Sequence, residues 1–276
     1  MDANVNEWLQ LVFRWVHVVA GVLWIGHLYF FNFVNAQLVK TYTPEGKKQV
    51  LPELMPRALY WFRWGAFYTW LTGFLLLGIV YYMGGTLLEA DRTSLSNTAG
   101  VGISLAIVLV IFFIYDALWK SPLAKNEMVA AGISFALFMG VLFGLRALGF
   151  SHRAVWIHAG GLFGTIMAMN VWMRIWPAQR KIINGVKGAA PAPDAAVPAL
   201  AGLRSKHNTY MSVPLILTMM NSHFTTAYSE DWGVLLLGAC ILVGWGATKF
   251  LYTKSASAAP SKVAVPAAAT PPTKAA

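Results

Sequence analysis

Cysteine is almost absent from this sequence, because Cys240 is the only one in 276 residues. A single cysteine excludes a disulfide framework within the chain, CxxC redox or zinc motifs, and the CxxCH motif that attaches c-type haem. Charged residues are scarce as well: they make up 12% of the chain, about half of the share in a typical soluble protein. The low charge argues against a soluble globular domain.

Long apolar runs make up much of the chain, and 57% of the residues are hydrophobic. Runs of this length predict an all-α, polytopic transmembrane helical bundle. We expect about seven spans within a membrane domain of residues 1–253, followed by a disordered, linker-like Ala/Pro-rich tail, 254–276. The charged segment 44–62 contains three prolines and is interpreted as an interfacial piece, although an eighth span there is possible. The seven spans are roughly 8–34, 64–83, 99–119, 128–148, 154–176, 207–227 and 231–252.

Basic residues are distributed very unevenly between the two sets of connecting segments. Fifteen Lys and Arg residues lie in alternate segments, and only two lie in the opposite set. Positively charged loops stay in the cytoplasm, so we expect a multi-pass protein with its N-terminus outside and its C-terminus in the cytoplasm. The net charge of +10 therefore reflects topology in a lipid bilayer, and no nucleic-acid partner is expected.

Histidines are concentrated in or at the ends of the predicted spans. At about 1.5 Å of rise per residue, they form an outer set of His17, His158 and His223 and an inner set of His27 and His207. Helix-borne histidines facing one another at two depths are what b-type haem requires in a membrane bundle. His17, His27, His158 and His223 are the candidate ligands. Copper or another metal is an alternative with no particular metal indicated, and hydrogen bonding between helices is another.

The segment RSKHNTYMSVPLILTMMNSHF, residues 204–224, has polar residues at both ends of an apolar centre. The predicted helix starts near Arg204, where free N–H groups and the helix dipole favour an anion. Asn208 and Thr209 would be directional donors, and Asn221 falls on the helical face of His207. Positive-inside anchoring is the alternative explanation for the basic residues. We also expect Pro214 to kink this helix.

Two segments carry a resemblance to a known family: WVHVVAGVLWIGHLYFFNFVN at 15–35 and LRSKHNTYMSVPLILTMMNSHF at 203–224. They resemble the membrane domain of bacterial cytochrome-c-coupled urate hydroxylase, the membrane-bound urate oxidase family. The spans between them are similar in order and spacing, so the resemblance covers roughly residues 5–253. The second segment is the more specific, because the combination of HN, TY and SVP with a later SHF is not a general membrane pattern.

The resemblance implies an oxidoreductase of the bacterial inner membrane that converts urate and water to 5-hydroxyisourate in purine breakdown. Two electrons would pass to a c-type cytochrome rather than to oxygen. Since the sequence has no CxxCH motif, the c-type haem would belong to a separate protein or to a missing domain. The helix-start argument above would then place urate near Arg204, Asn208, Thr209 and Asn221. The depths of the histidines, and not the resemblance, predict that haem b carries the electrons.

His207 is the candidate general base, because an imidazole exchanges protons near neutral pH. Asp116 is the second catalytic candidate, with an ion pair to its neighbour Lys120 as the alternative role. Two other functions stay open: a purine or urate transporter, and a b-type cytochrome subunit that transfers electrons without a substrate of its own. The absence of an obvious inverted repeat weakens the transporter hypothesis.

Overall fold

The computed structural model describes residues 3–220, 224–228 and 232–257. Seven long helices run through this part of the chain, and two short helical turns lie at Pro122–Lys125 and Thr225–Tyr228. All of the long helices except α6 are long and apolar enough to cross a membrane, which confirms the predicted all-α membrane bundle. The seven are α1 Ala3–Leu38, α2 Pro44–Tyr82, α3 Asn97–Leu118, α4 Glu127–Ala147, α5 His152–Lys187, α6 Ala196–Met220 and α7 Gly233–Ser257.

Short polar side chains determine where several of these helices begin. The hydroxyls of Thr43, Ser96 and Ser151 accept hydrogen bonds from backbone N–H groups three residues later, at 3.1–3.2 Å. Each cap satisfies an N–H that has no partner within the helix. The first turns of α2, α3 and α5 therefore start immediately after a capping residue.

Two helices begin more than ten residues before the prediction, and α5 ends at Lys187 rather than at residue 176. Segment 44–62 is not a separate interfacial piece, because α2 runs without interruption from Pro44 to Tyr82. The sixth predicted span, 207–227, is also wrong at its start, because α6 begins at Ala196. Arg204 therefore lies in the third turn of a helix whose backbone N–H groups are already used. The helix N-terminus that would have held an anion does not exist at this position.

Helices α5 and α6 form the centre of the bundle. Helix α5 is the most buried of the candidate spans, and α6 packs against it and against α7. Helix α1 packs mainly on α2, where the two backbones approach closely at Gly65. A Cβ at Gly65 would lie 3.0 Å from the backbone nitrogen of Trp24, so this contact requires glycine.

At one end of the bundle, the α2–α3 connection pairs with the α4–α5 connection. The backbone N–H of Ser151 donates to the carbonyl of Leu87 at 2.9 Å, and that of Glu89 donates to Gly149 at 2.9 Å. Arg146 forms an ion pair with Glu89 at 2.7 Å. These two connections were predicted to lie on the same side of the membrane, and their pairing agrees with that topology.

The predicted tail, 254–276, is only partly described by the structure. Helix α7 continues to Ser257, so the first four residues of that segment are helical rather than linker. The Ser255 hydroxyl donates to the carbonyl of Phe33, which attaches the end of α7 to α1. Residues 258–276 lie outside the described residues.

Candidate functional site

Asp116 is the centre of a cationic cluster at the C-terminal end of α3. Its carboxylate accepts hydrogen bonds from Arg174 at 2.5 and 2.9 Å and from Arg204 at 2.9 Å. Lys120 forms an ion pair with the same carboxylate at 2.7 Å. Three cations surround one carboxylate, so the cluster has a net positive charge, and Arg204 within it is fully buried. The cluster therefore favours an anion nearby.

Tyr115 connects this cluster to His207. The guanidinium of Arg204 lies 4.8 Å from the centre of the Tyr115 ring, and the Tyr115 hydroxyl lies 2.6 Å from Nδ1 of His207. The amide of Asn170 donates to the Tyr115 oxygen at 3.2 Å. While accepting from Asn170, the Tyr115 hydroxyl can donate its own proton to Nδ1 of His207. With that direction, the neutral imidazole carries its proton on Nε2.

A cavity of about 460 Å³ opens beside this pair, and we call it the Tyr115 cavity. Its walls come from α3, α4, α5, α6 and α7, and most of them are apolar or aromatic. The ring centres of Trp119 and His207 are 4.0 Å apart. Lys249 adds positive charge to the lining, whereas Lys206 is paired there with Glu127 at 2.6 Å. A cavity of this kind suits a small flat organic anion. Its polar and charged lining side chains are Tyr115, Trp119, Glu127, Ser134, Lys206, His207, Tyr210, Trp245 and Lys249.

The predicted substrate ligands lie behind the wall of this cavity. Asn208 is fully buried: its amide donates to the Met167 carbonyl at 2.9 Å, and its oxygen accepts from Asn170 at 2.9 Å. The Thr209 hydroxyl donates to the carbonyl of Ser205 one turn earlier. Both residues hold α6 in place, and their role in substrate binding stays a prediction. Asn221 lies outside the described residues.

Arg204 differs from them because part of its hydrogen-bonding capacity is unused. Its Nε and Nη1 atoms are buried with no hydrogen-bond partner in the described structure, and the same is true of the side-chain oxygen of Asn170. Both residues contact Tyr115. Leaving a buried polar atom without a partner costs free energy, so such atoms readily bind a polar group that comes within reach. Two donors and one acceptor therefore remain available next to Tyr115.

A second cavity, of about 800 Å³, lies among α1, α2, α3, α5 and α6, and we call it the His17 cavity. Nδ1 of His17 lies 3.1 Å from the hydroxyl of Thr72. Arg14 and Arg153 also line this cavity, together with glycines on three helices. Of the predicted cofactor ligands, His17 is the one in the lining. The glycines are Gly21, Gly26, Gly73, Gly160, Gly161 and Gly164.

The other predicted cofactor histidines have different surroundings. His158 is fully buried, with Nε2 at 2.5 Å from the Ser104 hydroxyl and Nδ1 at 2.6 Å from the Ala154 carbonyl. His27 lies on α1 with Nδ1 at 2.7 Å from the Leu23 carbonyl. Within the described ranges, no hydrogen bond or ring contact joins either of them to another histidine. His223 lies outside those ranges, so the outer and inner pairs stay predictions.

Sequence reasoning missed Tyr115, which links the two catalytic candidates Asp116 and His207. A tyrosine in an apolar run resembles a core aromatic, and its position next to an intramembrane aspartate was the available signal. Sequence reasoning also missed Arg174 as a direct partner of Asp116. Among the described residues, no group of three or more His, Cys, Asp or Glu side chains could hold a metal ion.

Comparison with known proteins gives one match. The family model described as urate oxidase N-terminal matches residues 3–273 of the chain. No curated protein and no solved structure shows a significant match. The matched range contains both cavities and every helix described above.

Proposed function

We propose that this chain, which belongs to the urate oxidase N-terminal family, is a membrane-bound urate hydroxylase. It would oxidise urate with water to 5-hydroxyisourate and pass the electrons to a c-type cytochrome. It would lie in a bacterial inner membrane with its N-terminus outside and its C-terminus in the cytoplasm, as the distribution of basic residues indicates. The observation that carries the proposal is the Tyr115–His207 pair in the wall of a cavity beside a cationic cluster.

The Tyr115 cavity has the charge and shape that a urate anion needs. Urate is flat and carries one negative charge at neutral pH. The cluster around Asp116 contains three cations for one carboxylate, and Lys206 and Lys249 lie in the cavity lining. Aromatic walls such as Trp119 suit a flat ring. Positive charge at low local dielectric stabilises the anion more strongly than it would in water.

The reaction requires proton removal from an attacking water molecule. The water oxygen bonds to C5 of urate, the C4–C5 double bond is lost, and two protons and two electrons leave. Two ferric c-type cytochromes would take up one electron each. When the proton of Tyr115 is directed at Nδ1 of His207, the Tyr115 oxygen can accept a proton from the water as it gives its own to His207. His207 would thus be the final base, reached through Tyr115.

Arg204 would stabilise negative charge on the Tyr115 oxygen during this transfer. Its guanidinium lies over the Tyr115 ring at 4.8 Å and has two donors without partners. A fixed cation positioned where charge develops lowers the barrier without reorganisation. Asp116 holds Arg204 in place through a 2.9 Å ion pair, so we assign Asp116 a positioning role.

The test measures urate consumption and cytochrome c reduction by the purified protein without oxygen. We expect two cytochromes reduced for each urate consumed and 5-hydroxyisourate as the first product. His207→Gln and Tyr115→Phe should each abolish most turnover, whereas Tyr68→Phe, at an exposed tyrosine of α2, should not. Movement of labelled urate into liposomes without any oxidation would overturn the proposal in favour of a transporter.

A further inference from the structure

We propose that the His17 cavity binds a b-type haem, with Nε2 of His17 as an axial ligand to the iron. The cavity lies among five helices and has a volume of about 800 Å³, near the upper end of the usual range for organic ligands and cofactors. Haem needs only one or two protein ligands. A cavity with one histidine among mostly apolar lining residues is therefore sufficient.

Hydrogen bonding fixes which nitrogen of His17 is free to bind a metal. The Thr72 hydroxyl has one proton and donates it to the backbone carbonyl of Tyr68 at 2.6 Å. Toward His17 this hydroxyl can therefore act only as an acceptor, at 3.1 Å from Nδ1. Nδ1 carries the imidazole proton, and the lone pair lies on Nε2. A metal-ligating histidine typically has its other ring nitrogen held in this way.

Glycines provide the space that a flat macrocycle needs. A Cβ added at Gly161 or Gly164 would have no atom within 4 Å, although both residues line the cavity. Their bare backbones face open space. At Gly73 the space is already occupied by His17, because a Cβ there would lie 2.9 Å from Cε1 of that histidine. Gly73 makes room for the imidazole, and Gly161 and Gly164 leave room in front of it.

Two arginines in the same lining match the two propionate groups of haem. Arg14 and Arg153 both line the cavity, and neither pairs with a carboxylate among the described residues. Nε of Arg153 is buried without a hydrogen-bond partner. Arginine binds carboxylates through paired N–H groups. A ligand with an apolar body and two carboxylates would therefore satisfy this cavity.

The two cavities are close enough for electrons to pass between them. Three helices line both, and along each helix the lining residues are separated by one to four positions, or about 1.5–6 Å of rise. A bound haem would supply a reversible one-electron carrier between the Tyr115 cavity and the cytochrome. This role rests on the proposed function, whereas haem binding itself does not. The residue pairs are Val108 and Ile111 on α3, Thr165 and Ile166 on α5, and Leu215 and Met211 on α6.

A quinone is the main alternative occupant, because it is also flat and carries electrons. It has no carboxylates to pair with Arg14 and Arg153, and it does not require a lone pair on a fixed imidazole nitrogen. The observed arrangement therefore favours haem.

Optical spectroscopy of the full chain, produced in cells supplied with iron and haem precursor, tests the site. We expect a Soret band and about one haem b per chain by pyridine haemochrome analysis. His17→Ala should remove the band, whereas His27→Ala, on the same helix, should keep it. Thr72→Val should weaken haem retention by about 10–100-fold, as expected when the group that orients a ligating histidine is lost.

A cavity-filling variant keeps the proposal testable if His17→Ala fails to fold. Gly164→Leu should block haem while leaving His17 unchanged. Gly140→Leu is the matched control, because a Cβ there also meets no atom within 4 Å but Gly140 does not line the cavity. Wild-type protein without haem that also fails to bind added haemin would overturn the proposal, as would a Soret band unchanged by His17→Ala. Quinone extracted in place of haem would also overturn it.

These outcomes separate the haem site from the proposed enzyme activity. A Soret band without urate turnover would support the haem site and contradict the proposed urate hydroxylase activity. Urate-dependent cytochrome reduction by protein without haem would support the activity and contradict the haem site.

Discussion

The Tyr115 hydroxyl forms a 2.6 Å hydrogen bond with Nδ1 of His207 and so joins two helices that are distant in sequence; in the proposed mechanism the Tyr115 proton moves along this bond. Tyr115→Phe removes this proton path and keeps the ring under Arg204. We expect kcat for urate oxidation to fall by about 10²–10⁴-fold with little change in KM. Stopped-flow reduction of cytochrome c measures both parameters. A fall in kcat/KM caused by KM alone would indicate a binding role instead.

Asp116→Asn removes the one carboxylate that pairs with the fully buried Arg204 among the described residues. Breaking a buried ion pair on one side leaves a charge without compensation, and we expect a loss of about 3 kcal/mol in the free energy of unfolding. Thermal unfolding in detergent measures the change. The matched control is Glu127→Gln, which removes an exposed pair with Lys206 and should cost no more than about 1 kcal/mol. Equal losses of thermal stability in the two variants would contradict the role of Asp116 as the partner that compensates the buried charge of Arg204.

Ser104→Ala tests whether His158 connects helices or binds a cofactor. The change leaves Nε2 of the buried His158 without its 2.5 Å partner, and a buried unpaired polar atom costs about 1–3 kcal/mol. We expect lower thermal stability and an unchanged haem spectrum. In a His158→Ala background Ser104→Ala should cost less, because only the hydrogen bond between Ser104 and Tyr82 is then lost. Loss of the Soret band in His158→Ala alone would instead identify His158 as a ligand.

Gly65→Val should separate α1 from α2. The new side chain would meet backbone atoms of Trp24 and Ala20 at 3.0–3.3 Å, and a backbone cannot rotate away as a side chain can. We expect lower thermal stability and weaker haem retention, because His17 lies on α1 and Thr72 on α2. Gly132→Val makes the same change on α4, where a Cβ meets nothing within 4 Å. If the two variants behave alike, helix propensity rather than the close contact is responsible.

The sequence predicted some helices well because their apolar runs are clearly bounded. Helices α3 and α4 begin and end within two residues of the prediction, next to the capping residues Ser96 and Asn126. The start of α2 was missed because Pro52, Pro56 and nearby charges lower the hydropathy of a stretch that is nevertheless helical. Tertiary packing supports the helix there more than local composition does.

The candidate site was predicted only in part, for a related reason. Residue type and depth identified Asp116, Arg204 and His207, and the structure brings them together around Tyr115. The ion pair between Asp116 and Lys120, one of the two predicted roles of Asp116, is also present. The pairing with Arg174 depends on how α5 packs against α3. Sequence spacing within one helix carries no such information.

Pro214 lies on α6 between Met211, which lines the Tyr115 cavity, and Leu215, which lines the His17 cavity. The partition between the cavities is thin and largely apolar, so an electron can tunnel through it while a proton cannot follow. Turnover by this route would leave protons on one side and send electrons toward the other. The protein would then work as an electrogenic device, with a rate that responds to membrane voltage.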